Sequence, residues 1–281
     1  MCILSKYDIV LLVIFMEKYD VNFKKKYGQN FLKRKAVVER IADVCAITKN
    51  DLVIEVGPGG AILTRELARR AGNVLAYEID IDLEPELNRK LGDFSNVTIL
   101  FQDFLESNIT KDIANFSYEN IYFVSNVPYY ITTPIVMKLI DSKINFKKIC
   151  MMVQKEVGLR FTAVPGSKVY GSISVFLNYF YRVKKEFLVS RKEFVPVPNV
   201  DSVIISFESR EELLPLTDEK LFFQIVRDSF QFKRKNIRNN LKKYNLDVVA
   251  SVLEKYGYNL SVRAEQLPLE IFIELANALV L

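Results

Sequence analysis

From residue 52 the chain alternates short, almost uninterrupted apolar runs with longer stretches in which apolar residues recur every three or four positions. LVIEVG (52–57), VLAYEI (74–79), VTILFQD (97–103), IYFVSN (121–126) and ICMMVQ (149–154) have the length and residue types of strands. Between them, ILTRELARRA, LEPELNRKL and TTPIVMKLIDS carry the helical period. Pro85 and Pro134 fall near helix starts, where a missing N–H costs little. Strands so continuously apolar are covered on both faces, so the pattern predicts an open, mostly parallel α/β sheet. FLVSRKEFVPVPNVDSVIISFES then gives two β-like runs around a proline-rich connection, which predicts an antiparallel pair closing the sheet edge. After about residue 209 every periodic segment is helical: EELLPLTDEKLFFQIVRDSF, KNIRNNLKKY, LDVVASVLEKYG and LPLEIFIELANALV. The expected organisation is a sheet domain over 16–209 and a small C-terminal helical domain over 210–281.

The apolar run DIVLLVIF near the start, flanked by Lys6 and Lys18, is well short of the roughly 20 apolar residues a spanning helix needs. No small-residue cleavage site follows it, and Met16 stands directly after it. The native start is expected at Met16, with residues 1–15 a non-native or disordered extension and no membrane association.

Composition narrows the chemistry. The 281 residues are half apolar, enough for a well-buried core. The absence of histidine and tryptophan removes Ser-His and Cys-His nucleophile systems and every histidine-containing metal site. Cys2, Cys45 and Cys150 are odd in number and have no C-x-x-C spacing, so neither a disulfide framework nor a zinc site is expected; a reducing cytoplasm fits. The net charge of +5 is modest, but the basic residues cluster at KKK (24–26), KRK (33–35) and KRKNIR (233–238), which points to a polyanionic partner. In the last cluster Phe230, Phe232, Ile237 and Leu241 are expected to pack onto the domain, leaving Lys233, Arg234, Lys235 and Arg238 for phosphates.

EVGPGG (55–60) ends the first strand and opens a helix, as nucleotide-type sites at the carboxyl ends of parallel strands do. The dinucleotide pattern G-x-G-x-x-G would place its third glycine at Ile62, so NAD is disfavoured. Glu78 closes the second strand, where a carboxylate can accept from ribose hydroxyls. Asp103 closes the third, where it can accept from an adenine amino group. Glycine turn, ribose acid and adenine acid at three successive strand ends together suggest S-adenosyl-L-methionine on a Rossmann-like, seven-stranded methyltransferase sheet.

The fourth strand delivers NVPY (126–129) to the same edge. An exocyclic adenine amine is a poor nucleophile because its lone pair is delocalised into the ring. The Asn126 side-chain oxygen and the Val127 carbonyl can take its two hydrogens, Pro128 fixes the local φ, and Tyr129 offers a flat face to an extruded base.

NVPY followed by TTP resembles the motif of the rRNA adenine N6-dimethyltransferases. YGQNFL (27–32), EVGPGGAILT (55–64), QKEVGLRF (154–161), FVPVPNVDS (194–202), FKRKNIRNNL (232–241) and RAEQLPLE (263–270) match that family in its order, across residues 23 to about 279. The resemblance is nearest to the small-subunit branch. It implies N6,N6-dimethylation of two adjacent adenines in the 3′-terminal hairpin loop of 16S rRNA within an immature small ribosomal subunit, by a monomer. It further implies cofactor contacts from Asn30, Leu32, Gly57, Glu78, Asp103 and Asn126, and makes Phe194 a candidate for the other face of the target base. Tyr130 departs from the Asn common in that branch. The alternatives are the large-subunit, macrolide-resistance branch and a non-catalytic assembly factor of the same fold.

Overall fold

The computed structural model describes residues 31–210 and 212–280. The expectations for residues 1–15, for Asn30 and for the KKK cluster lie outside the described residues.

The elements, in chain order, begin with β1 (Phe31–Leu32), α1 (Lys35–Cys45), β2 (Asp51–Val56), α2 (Ile62–Arg70), β3 (Asn73–Glu78), α3 (Glu84–Leu91) and β4 (Val97–Phe101). There follow α4 (Ile109–Asp112), β5 (Asn120–Asn126), α5 (Thr132–Asp141), β6 (Lys148–Gln154), α6 (Lys155–Phe161) and α7 (Ser172–Phe180). The last are β7 (Tyr181–Val189), β8 (Phe194–Val195), β9 (Ser202–Ser209), α8 (Glu219–Phe230), α9 (Ile237–Asn240), α10 (Leu246–Lys255) and α11 (Leu269–Ala278).

Seven strands form one sheet in the order β4-β3-β2-β5-β6-β9-β7. The pairings β4-β3-β2-β5-β6 are all parallel, and β9 runs antiparallel to β6. All six residues of β2 are buried, as a central strand covered on both faces must be. The direction of strand addition reverses between β3 and β5, on either side of β2. In open α/β sheets the place for a ligand is at such a switch point, outside the carboxyl ends of the strands. The α2 residues Leu63 and Leu67, the α1 residues Val38 and Ile41, and the strand residues Val53, Val74, Val124 and Met152 share one apolar cluster, which fixes these helices on the sheet.

A second, two-stranded sheet was not foreseen. β1 pairs antiparallel with β8, Phe31 opposite Val195 and Leu32 opposite Phe194, so these two distant segments are joined through the main chain.

The chain divides into two compact units. Among the described residues one holds 31–158 and 184–209; the other holds 159–183 and 210–280. A single cut at residue 209 therefore misses a piece: residues 159–183 cluster with the C-terminal helices. The reason lies in aromatic packing within that unit, where Phe176 of α7 meets Phe222 and Phe223 of α8 at ring-centroid distances of 6.4 and 4.7 Å. Tyr170 and Phe272 pack on Phe230 in the same way.

Candidate active site

The parallel register brings four chemically distinct residues to one edge. Val56 pairs with Tyr77, Glu78 with Phe101, and Asn126 with Met152, so Gly57, Glu78, Asp103 and Asn126 all sit at or just beyond carboxyl ends of strands.

Gly57 and Gly59 adopt φ values of +72° and +47°, in the left-handed region open to glycine. At Gly57 an added Cβ would lie 3.8 Å from Pro128 Cδ, which places the glycine turn directly against NVPY. At Gly59 it would lie 3.0 Å from Phe31 Cε1. The glycines thus serve the Phe31 ring as well as any ligand, a use that the motif alone did not reveal. A cavity of about 560 Å³ touches this turn at Gly59 and Gly60, but none of Glu78, Asp103 and Asn126 lines it.

Glu78 is 2% exposed. Its Oε2 accepts from Gly59 N–H at 3.2 Å and its Oε1 from Asp80 N–H at 3.1 Å. Burial pushes its pKa up, while these main-chain donors oppose the shift. Asp103 caps a single 3₁₀ turn, Phe104–Glu106, with Oδ1 accepting from Leu105 N–H at 2.8 Å.

Two residues that the sequence reading left without a role belong to this edge. Lys138 of α5 donates to the carbonyls of Leu105 and Ser107, both at 2.7 Å, and its ammonium lies 5.7 Å from the Phe104 ring centroid. It staples the Asp103 turn to the helix that follows NVPY, and burial lowers its pKa. No periodicity marks it out, because it reads as an ordinary polar position on a helix. Glu55, inside EVGPGG, is fully buried. Desolvation, with the Glu78 charge adding to it, raises its pKa to about 8, and its Oε2 has no hydrogen-bond partner. The available signal was an acid inside the apolar run LVIEV (52–56).

Around NVPY the strand ends are stitched: Ser125 Oγ donates to Val56 O at 2.6 Å. The carbonyl of Pro128 accepts from Ile131 N–H at 3.1 Å, and that of Tyr129 from Thr132 Oγ1 at 3.2 Å. Those two acceptors are spent inside the turn, whereas the carbonyl of Val127 takes no hydrogen bond among the described residues. Tyr130, 43% exposed, follows at the start of the turn leading into α5.

Tyr129 is half-buried, and its hydroxyl lies 2.8 Å from Ser202 Oγ. Tyr129→Ala is expected to weaken target-base capture, and Tyr129→Phe to be mild, if the ring face and not the hydroxyl makes the contact. The Phe variant also leaves the buried Ser202 hydroxyl short of a partner, so it is expected to lose ~1 kcal/mol of stability without losing turnover. Thermal unfolding and initial rates separate the two; equal damage by Ala and Phe would count against the ring-face role.

Two expected site residues are placed otherwise. Phe194 is 0% exposed and belongs to the apolar cluster with Leu32, Val38 and Phe187. Its ring offers no face to a base, because the β1–β8 pairing turns it into the core. The Leu32 side chain is in the same cluster, which leaves only its main chain for a cofactor contact.

In the helical unit Phe232–Lys235 form a turn after α8, and Ile237 and Arg238 open α9. Arg234, Lys235 and Arg238 are exposed and make no ion pair among the described residues, and Lys233 Nζ donates to Lys168 O at 2.6 Å. The nearby acid Asp228 is taken by Lys243 at 2.8 Å and by the Tyr244 hydroxyl at 2.6 Å. Phe230, Ile237 and Leu241 are buried as expected, but Phe232 is 57% exposed. Helix α8 stops at Phe230, so Phe232 falls outside the helical period that would have turned it inward.

The model of the family described as ribosomal RNA adenine dimethylase matches residues 20–280. The chain belongs to that family. It is 43% identical over 273 residues to the ribosomal RNA small subunit methyltransferase A of Streptococcus sanguinis, covering 94% of each chain. The enzyme of the same name from Streptococcus pneumoniae is 42% identical over the same share. Among solved structures, the fold of this rRNA adenine dimethylase matches the 23S rRNA methyltransferase ErmE with a TM-score of 0.72 at 29% identity, covering 89% of this chain and 99% of that one. A dimethyladenosine transferase from Plasmodium falciparum matches with a TM-score of 0.73 at 25% identity, covering 87% and 95%.

Proposed function

We propose that this rRNA adenine dimethylase uses S-adenosyl-L-methionine to dimethylate the N6 positions of two adjacent adenines in the 3′-terminal hairpin loop of 16S rRNA, acting as a monomer on an immature small subunit. The observation that carries this reading is the ordered set of groups at one sheet edge: glycine turn, Glu78, Asp103 and NVPY.

The residues fit the cofactor. Glu78 is a buried carboxylate already oriented by two main-chain donors, and the positive φ at Gly57 leaves main chain uncovered where a side chain would otherwise stand. When bound, S-adenosyl-L-methionine supplies an electrophilic methyl group on a sulfonium. Glu78 would hold the ribose hydroxyls and Asp103 the adenine amine. Asn126 Oδ1 and the Val127 carbonyl would accept hydrogen bonds from the N–H groups of the target amine, directing the nitrogen lone pair away from its own ring, and Tyr129 would hold the base plane. Rate then comes from alignment and from dipoles fixed in advance, without a strong base.

The small-subunit assignment is favoured over the large-subunit one by identity, 43% to the Streptococcus sanguinis enzyme against 29% to ErmE, and by FKRKNIRNNL and RAEQLPLE in the helical unit. The test is methyl transfer from labelled cofactor to undermodified small subunits, with the modified nucleotides mapped. Two neighbouring dimethyladenines near the 3′ end are expected. Label on large-subunit RNA, or no transfer at all, would overturn the reading.

Arg234, Lys235 and Arg238, together with Lys233, would meet rRNA phosphates. Replacing Lys233, Arg234 and Arg238 by Ala is expected to weaken small-subunit binding and to flatten its dependence on log salt by roughly 0.7–0.9 per lost contact. Cofactor affinity should not change. A folded triple variant with the parent's salt slope would remove the assignment.

A further inference from the structure

Phe232 is the most exposed aromatic side chain among the described residues. An exposed phenyl ring forfeits the free energy its burial would bring, yet the main chain beneath it is firmly held. The Phe232 carbonyl accepts from Lys235 N–H at 2.8 Å and from Asn240 Nδ2 at 3.3 Å. The same Asn240 amide donates to Ser229 O at 2.6 Å, and Asn240 is itself buried. Beyond the turn, Asn236 caps α9 by accepting from Asn239 N–H, and Ile237 N–H donates to Val262 O at 2.8 Å. The turn is thus fixed at both ends, while its aromatic ring is left in water.

The segment that carries the ring is cationic. Residues 231–243 contain no acid. Arg234, Lys235 and Arg238 are unpaired among the described residues, and the Lys233 contact draws in the segment carrying Lys168, which is also exposed and unpaired. An aromatic face among unneutralised cations, on a pre-ordered turn, is the chemistry that receives a single-stranded nucleotide: the cations take phosphates and the ring takes the base. An apolar pocket on a protein partner would gain from the ring but would have to desolvate the cations around it.

We propose that Phe232 is a stacking platform for an unpaired base of the ribosomal RNA other than the two that are methylated. This rests on the reading of the basic turn as an rRNA contact. It adds that the contact includes a base and not phosphates alone. Stacking tolerates any base, so the platform would add affinity and hold register without reading sequence.

The experiment is filter binding to undermethylated small ribosomal subunits across a salt series. Phe232→Leu keeps apolar volume but loses the ring face; it is expected to weaken binding roughly five- to hundred-fold with the salt slope unchanged. Phe232→Trp should bind as tightly as the parent or more tightly. Because the ring is exposed, cofactor affinity and melting temperature should be those of the parent. If Phe232→Leu binds like the parent while the triple cation variant is weakened, stacking is overturned and the phosphate assignment stands. If the triple variant also binds like the parent, both fall. A photoreactive benzoyl-phenylalanine at position 232 adds an independent readout: a crosslink to an rRNA nucleotide supports the proposal, and a crosslink only to ribosomal protein overturns it.

Discussion

Asn126→Ala is expected to lower methyl transfer by at least about 100-fold, the scale of losing one oriented transition-state acceptor, while cofactor affinity stays within a few-fold. Asn126 is the last residue of β5, in register with Met152 on one side, and the Ser125–Val56 hydrogen bond fixes the strand end immediately before it. Its main chain is therefore held by two neighbouring strands. Asn126→Asp is a sharper probe, because it keeps an acceptor oxygen and should retain more activity than Ala. Single-turnover rates with saturating cofactor, paired with calorimetric affinities, check this. Near-parental turnover in Asn126→Ala would show that the amine is activated elsewhere.

Glu78→Ala is expected to act on cofactor binding instead. Each charge-assisted hydrogen bond lost is worth roughly 1.5–3 kcal/mol, so the cofactor dissociation constant should rise by about one to two orders of magnitude. The same carboxylate also accepts from Gly59 and Asp80 N–H, so its removal leaves two main-chain donors unsatisfied and loosens the glycine turn. Glu78→Gln should be nearly as harmful despite its matching shape, since its amide nitrogen must face one of those donors. Because burial raises the pKa of Glu78, the carboxylate form is lost on acidification earlier than for an exposed glutamate. Cofactor affinity is accordingly expected to fall as pH drops through the raised value and to be retained above it. Calorimetry across pH gives the answer; an affinity indifferent to both substitutions would make Glu78 a structural acid only.

The sequence by itself determined the sheet and the order of groups along its edge. β2, β3, β5 and β6 start within a residue of the apolar runs that predict them, because strands buried on both faces are apolar along most of their length. Gly57, Glu78, Asp103 and Asn126 could be read for the same reason: the carboxyl end of a parallel strand is fixed by where its apolar run stops. Tertiary structure alone decided contacts between segments distant in sequence. The pairing of β1 with β8 buries Phe194, which sits in a motif that gives no hint of its burial. SISVFLNYF (172–180) joins the helical unit because its aromatics meet Phe222 and Phe223, and a segment apolar on nearly every side shows no face from which that choice could be read. The role of Lys138 and the raised pKa of Glu55 were decided likewise, since hydrogen bonding and desolvation are set by neighbours in space. Phe232 is the converse case. Its apolar character argued for the core, but α8 ends two residues before it, and where a helix stops is settled by the packing of Phe230 and the anchoring of Asn240, not by local period.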